Sequence, residues 1–231
     1  MPRLITDFDG PIVDVSERYY RVYQYCLEKV RRPRQRVQLL AKDAFWAFKR
    51  SQRPEIQIGM KSGLDPQQSQ QFADLRRETV HTMPYFEYDR LIPGAVEALE
   101  GLQKAGFDLV VMTMRRTREL NYALQRFDLE NLFPRDRRYC LANDYVKTAD
   151  TKDKPLLMAR AMRELPATHS TWMVGDTEAD ILAAQSQNLP AIGVLSGIRD
   201  RKQLSQSSPT EIVADLAAAM ALVLDRCLLA C

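Results

Sequence analysis

The spacing of hydrophobic and polar positions changes character twice along this chain. Residues 3–8 form a short extended run that ends on acidic residues, with Asp7 and Asp9 close behind Leu4 and Ile5. From Ser16 to about Tyr88 the spacing is helical. Tyr20, Tyr23, Leu27 and Val30 recur on one face, with Ser16 as N-cap. Val37, Leu40, Ala44 and Phe48 form a second stripe, and Phe72, Leu75 and Thr79 a third, with breaks at Pro33, Pro54, Gly59–Gly63 and Pro84. After that the chain alternates. A helix opened by Pro93 and closed by Gly106 precedes the near-continuous apolar run Phe107–Thr113, as expected of a strand buried on both faces. Leu120, Leu124 and Phe127 predict a helix, Tyr139–Ala142 a short strand, Leu156–Leu165 a helix and Thr171–Val174 a strand. Glu178–Gln187 reads as a helix and Pro190–Val194 as a strand. Ser208-Pro209-Thr210-Glu211 reads as a capping box opening a last helix through Ile212, Leu216, Met220 and Val223.

Strands alternating with helices predict an α/β fold with a parallel sheet flanked by helices. The helical block after the first strand is read as an insertion, so the expected division is a core of 1–15 and 89–231 and an all-helical insert of 16–88.

Composition narrows the function more than the fold. Of 231 residues, 45% are hydrophobic and the formal net charge is +3, too small a surplus to argue for a nucleic-acid partner. Arg31, Arg32, Arg34 and Arg36 are read as a solvated helix end. No apolar run reaches the about 18 residues that a membrane span requires, and the charged Asp7 and Asp9 leave no room for an apolar signal core. Cys26, Cys140, Cys227 and Cys231 show no metal-binding spacing, although Cys227 and Cys231 stand four apart at the tail. A reducing cytoplasm is the expected location, with no membrane partner. Oligomeric state is left open.

In an open α/β sheet, ligands bind beyond the carboxyl ends of the strands. Asp7 and Asp9 follow the first strand, Thr113 ends the next, and Asp176, Thr177 and Asp180 follow the strand ending at Val174-Gly175. Lys152 and Lys154 precede the helix leading to that strand. Carboxylates brought together repel, and a hard, oxygen-liking ion such as Mg²⁺ removes the conflict while accepting a phosphate oxygen. Asp7 could then attack a phosphate as nucleophile, and Asp9 could exchange protons with the leaving group and with water. Thr113 and a lysine would hold the remaining phosphoryl oxygens. A single Asp-x-Asp-Gly is an ordinary acidic turn, and Gly175-Asp176-Thr177 by itself is an ordinary helix start. Their order and their placement at strand ends make the catalytic reading the stronger one.

Asp7-Phe8-Asp9-Gly10, Thr113 after an apolar strand, Lys154-Pro155 and Gly175-Asp176-Thr177-Glu178-Ala179-Asp180 resemble the four ordered motifs of the haloacid dehalogenase superfamily. Pro93-Gly94 with its helix, Ile192-Gly193-Val194, Ser196-Gly197 and the helical insertion resemble the phosphoglycolate-phosphatase-like branch. The resemblance implies a Rossmann-like core with a helical cap domain, and a Mg²⁺-dependent phosphatase of small phosphorylated metabolites that passes through an aspartyl-phosphate. It implies Asp7 as nucleophile and metal ligand. Asp9 would be the acid/base, giving its backbone carbonyl to the metal. Thr113 and Lys154 would be phosphate-site residues, and Asp176 and Asp180 the acids of the metal site. A phosphosugar mutase on the same scaffold, or a non-catalytic protein that keeps the fold, are the alternatives. Two departures stand out. Pro11 replaces the usual Thr, removing a hydroxyl and a backbone N–H, and Met114, followed by Arg115, stands where the branch often has Asn.

The remaining polar residues carry quieter readings. His81 and His169 are read as structural or surface residues, and Arg115 and Arg116 as exposed helix starters. Trp46, Phe45 and Phe48 are read as core of the insert. Asp14 and Glu17 are balanced between a hinge and solvated charge.

Overall fold

The computed structural model describes residues 1–228, which excludes Cys231 and with it the tail pair read in the sequence. The chain divides into two compact units, one of Met1–Asp14, Leu91–Gly197 and 201 onward, the other of Val15–Arg90 with Ile198–Asp200.

The first unit is built on a six-stranded sheet. Its strands are β1 (Arg3–Thr6), β4 (Asp108–Arg116), β5 (Arg138–Leu141), β6 (Thr171–Gly175), β7 (Ala191–Val194) and β8 (Glu211–Val213), in the order β5-β4-β1-β6-β7-β8. Every pairing is parallel. Two further two-residue strands, β2 (Val13–Asp14) and β3 (Arg90–Leu91), stand outside this sheet. Ile5, Val110, Met112 and Met173 are fully buried, as expected for central parallel strands. Helices α5 (Ala95–Lys104), α6 (Thr117–Arg126), α7 (Asp150–Glu164), α8 (Glu178–Gln185), α9 (Arg201–Ser205) and α10 (Leu216–Leu228) complete the unit. Met158 and Ala161 of α7 and Ile181 and Ala184 of α8 pack with the strand residues in one cluster. At the amino ends of β1 and β4, Asp108 accepts from Arg3 Nε at 2.8 Å and Arg137 Nε at 2.6 Å, so a buried carboxylate fastens the two strands.

The order of the strands reverses around β1. Thr6 is in register with Val111 of β4 and Val174 of β6. Asp7 therefore emerges level with Met112 and Gly175, with Thr113 and Asp176 one residue further on. That is the switch point at which such sheets bind ligands.

The second unit is helical: α1 (Ser16–Val30), α2 (Lys42–Arg50), α3 (Glu55–Lys61), α4 (Pro66–Thr79) and a 3₁₀ turn over Met83–Tyr88. Its core joins Val22, Tyr23, Cys26, Phe45, Ile58 and Phe72. Asp65 caps α4 through a reciprocal pair with Gln68. Arg18 in the first turn of α1 pairs with Asp89 at 3.1 Å, both buried, tying together the two ends of the unit.

Several elements differ from the sequence expectation: Ser16 lies inside α1 with Val15 at the N-cap position, and α3 runs through Gly59, where a break was expected. Val37 and Leu40 lie in an extended segment before α2, and Leu40 is buried through the loop, its N–H donating to Tyr23 Oη. Helix α7 begins at Asp150 although Pro155 lies inside it. Asp153 secures that early start by accepting from Thr148 N, Thr148 Oγ1 and Tyr145 Oη. The capping box at Ser208 opens no helix. Glu211–Val213 form the edge strand β8 paired with β7, and the last helix starts after Asp215, whose side chain accepts from Ala218 N at 2.9 Å. The β-branched pair Ile212-Val213 beside an open strand edge outweighed a local cap signal.

Candidate active site

Asp7 leaves β1 with its backbone N–H donating to Val174 O at 2.8 Å, and its own Oδ1 accepts from Phe8 N at 2.6 Å. Its Oδ2 meets Lys154 Nζ at 2.7 Å. The same ammonium pairs with Asp180 Oδ1, and all three side chains are buried. Asp180 is held from the other side, where its Oδ2 accepts from Thr177 N at 3.0 Å and Thr177 Oγ1 at 2.7 Å, the capping box of α8. One carboxylate thus caps a helix and orients a lysine.

Asp7, Asp176 and Asp180 each offer a carboxylate oxygen within 4.8 Å of the others. Backbone makes room for this. A Cβ at Gly10, where φ is +96°, or at Gly197 would overlap the Asp176 carboxylate. Ser196 Oγ donates to Gly10 O at 2.7 Å, which joins the turn after β1 to the loop after β7.

Three carboxylates around one ammonium leave an excess of negative charge. Burial, with Asp180 and Asp176 adding to it, raises the Asp7 carboxyl well above the ordinary value, against the opposing pull of Lys154. Burial alone would lower Lys154, but Asp180 and Asp7 outweigh it and hold the ammonium above the ordinary lysine range. Both directions express one deficit of positive charge. Hard oxygen donors, a shared centre and a surplus of anions fit a divalent cation of the Mg²⁺ type.

Thr113 is buried at the carboxyl end of β4, and its Oγ1 accepts from Arg115 N at 3.2 Å. Lys152 is exposed, so the lysine of the cluster is Lys154. Pro11 lacks an N–H, but the turn closes without it through Gly10 N to Val13 O and Ile12 N and Val13 N to Phe8 O. His169 is exposed beside the N-terminal amine.

Asp9 stands apart from the triad, with its side chain on Arg115 rather than on Lys154. The reading of Arg115 as an exposed helix starter is overturned, since its side chain is 1% exposed and salt-bridged to Asp9. An arginine two residues past a buried strand hydroxyl was the available signal. Arg116, half-buried, does belong to the start of α6.

A family model described as haloacid dehalogenase-like hydrolase matches residues 2–188. A phosphoglycolate phosphatase of Mannheimia succiniciproducens is 31% identical over 128 residues, covering 55% of this chain and 55% of that protein. One of Psychrobacter arcticus is 29% identical over 126 residues, covering 54% and 53%. These matches span about half the length of the curated relatives. A haloacid dehalogenase-like hydrolase of Streptococcus pneumoniae shares the fold, with a TM-score of 0.69, 16% identity and coverage of 96% of this chain and 98% of that one. Among the described residues no helix is long and apolar enough to cross a membrane. On the match over most of its length, this chain belongs to the haloacid dehalogenase-like hydrolase family.

Proposed function

We propose that the protein is a Mg²⁺-dependent phosphatase of small phosphate monoesters, working through an aspartyl-phosphate on Asp7. The observation that carries this reading is the buried group Asp7, Asp176 and Asp180 around Lys154 at the switch point of the sheet. The relatives' names make phosphoglycolate the first ester to try.

Asp7, Asp176 and Asp180, with the backbone carbonyl of Asp9, are the residues that would hold the ion. When bound, the ion supplies the positive charge the cluster lacks and lets an anionic phosphoryl group approach a carboxylate. Asp7 attacks phosphorus as the ester bond breaks, and the leaving oxygen takes its proton from Asp9. Water then gives a proton to Asp9 and attacks the aspartyl-phosphate, restoring the Asp7 carboxylate and releasing phosphate. Lys154 holds Asp7 in place through Nζ, and the Thr113 hydroxyl donates to a phosphoryl oxygen. The segment 16–88 is read as the inserted cap domain, and the substrate as a small phosphorylated metabolite.

The test is hydrolysis of para-nitrophenyl phosphate and a panel of metabolite esters with Mg²⁺. The expected result is metal-dependent turnover that falls more than about 10³-fold in Asp7→Asn. Equal rates in the two proteins on every ester would remove the reading.

A further inference from the structure

Arg115 is buried at a point where the sheet offers a charged residue no solvent, so its guanidinium must find its company inside the protein. Among its neighbours, three hold it in place. Its backbone N–H donates to Thr113 Oγ1 at 3.2 Å, its guanidinium carbon lies 5.0 Å from the centre of the Phe8 ring, and its side chain reaches Asp9. Nε and Nη2 both donate to Asp9 Oδ1, at 3.0 and 2.5 Å. The Asp9 side chain is 25% exposed against 1% for Arg115, so the arginine is the fixed partner and the carboxyl is what it holds. Arg115 sits on β4, two residues past Thr113, whereas Asp9 lies in the turn after β1. Two donors of one planar fork gripping a single oxygen fix where that oxygen stands more tightly than an ammonium on a flexible stem would.

We propose that Arg115 is a positioning residue for Asp9, fixing where the Asp9 carboxyl stands and thereby setting how fast an alkoxide leaving group departs. The inference rests on the phosphatase reading above. In the first half-reaction the Asp7–phosphorus bond forms as the phosphorus–oxygen ester bond breaks. The electron pair goes to the leaving oxygen, and the proton it needs comes from Asp9. An aliphatic alkoxide needs that proton; a dinitrophenolate does not. A misplacement of about 1 Å in a catalytic group costs on the order of 10²-fold, and only the ester that needs the proton should register it. An ion pair that merely braced the two strand ends would slow both esters alike.

The test measures first-turnover release of glycerol from glycerol phosphate and of dinitrophenolate from dinitrophenyl phosphate, using the full chain with Mg²⁺. Arg115→Met should slow the glycerol ester about 10²-fold and the dinitrophenyl ester far less. Arg115→Lys, which keeps the charge but not the fork, should lie between wild type and Arg115→Met on the glycerol ester. Asp9→Asn should show the same selectivity, and Asp9→Asn with Arg115→Met should be no slower than Asp9→Asn alone. Equal slowing of the two esters, or losses that multiply in the double variant, overturns the proposal. If Arg115→Met does not fold, the ratio of the two esters in Arg115→Lys decides the matter. Failure of the underlying phosphatase reading looks different: Asp7→Asn would then match wild type on both esters, and both readings would go.

Discussion

The core unit sets one cation, Lys154, among three carboxylates, Asp7, Asp176 and Asp180. The helical unit does the reverse, setting two cations, Lys49 and Arg76, on the single carboxylate of Glu55. The consequences run in opposite directions. In the core burial, with Asp180 and Asp176 adding to it, raises Asp7, and Asp180 and Asp7 raise Lys154. In the helical unit burial, with repulsion from Arg76, lowers Lys49 to about 8 against the pull of Glu55. The two surpluses are also met differently. The faces of aromatic rings take up the positive one, since Tyr19 lies 5.7 Å from Lys49 Nζ and 5.0 Å from Arg76 Cζ, with Phe45 at 5.9 Å from Arg76. The negative surplus lies instead at the end of the sheet where a ligand is expected, around Lys154. A buried charge imbalance marks a binding site when the fold leaves it unmet, and a structural brace when the fold meets it.

The strongest way to break this contrast is in the helical unit. Glu55→Gln leaves two buried cations without their carboxylate and should cost about 3 kcal/mol. Arg76→Met restores a one-to-one pair and should change stability by no more than about 1 kcal/mol. The two tryptophans report separately, since Trp46 lies in α2 and Trp172 in β6. Urea unfolding followed by Trp46 fluorescence in a Trp172→Phe background reads the helical unit alone. Equal losses for the two substitutions would show that the surplus charge is not what strains the cluster.

A second effect, smaller because 13% of the Lys49 side chain meets solvent, is a pH dependence. Lys49 is lowered from 10.5 to about 8 in the folded state, so between those values the unfolded chain binds more protons. Stability of the helical unit should therefore rise with pH across that window, the penalty being complete below about 8 and absent above 10.5. The Trp46 unfolding midpoint, compared with that of Lys49→Met, checks the sign. A fall across the window in wild type relative to the variant contradicts it.

The third effect lies in the core. Asp176→Asn removes one of the like charges without taking a partner from Lys154. It should raise the metal-free stability by about 1 kcal/mol, which is a few degrees in a chain of this size. The same substitution should abolish the shift that Mg²⁺ produces in the unaltered protein. Thermal unfolding followed by Trp172 fluorescence, with and without Mg²⁺, reads both. A metal-induced shift that survives the substitution would remove Asp176 from the site.

Much of the core was legible because its signals are local. Apolar runs such as Leu109–Met112 and Met173–Val174 mark buried strands; Thr113 comes next after Met112, and Asp7 and Asp176 stand directly after β1 and β6. What escaped depends on partners distant in sequence. Arg115 reads as an exposed helix start until the turn carrying Asp9 is brought to it, 106 positions away. Strand β8 is three residues long and owes its existence to the edge of β7, which no spacing within it announces. Lys49, Glu55 and Arg76 come from α2, α3 and α4 and share no motif, so their cluster exists only after packing. Lys152 and Lys154 could be ranked only once burial of the latter was seen.

The central claim is that Asp7 becomes covalently phosphorylated. The direct measurement is a single turnover with Mg²⁺, quenched in acid and followed by peptide mass spectrometry. A hydroxylamine-sensitive phosphoryl group should form and decay on Asp7 within the turnover and be absent in Asp7→Asn. Ester hydrolysis at full rate with no phosphoryl group on that residue, or with the group on another side chain, would contradict it.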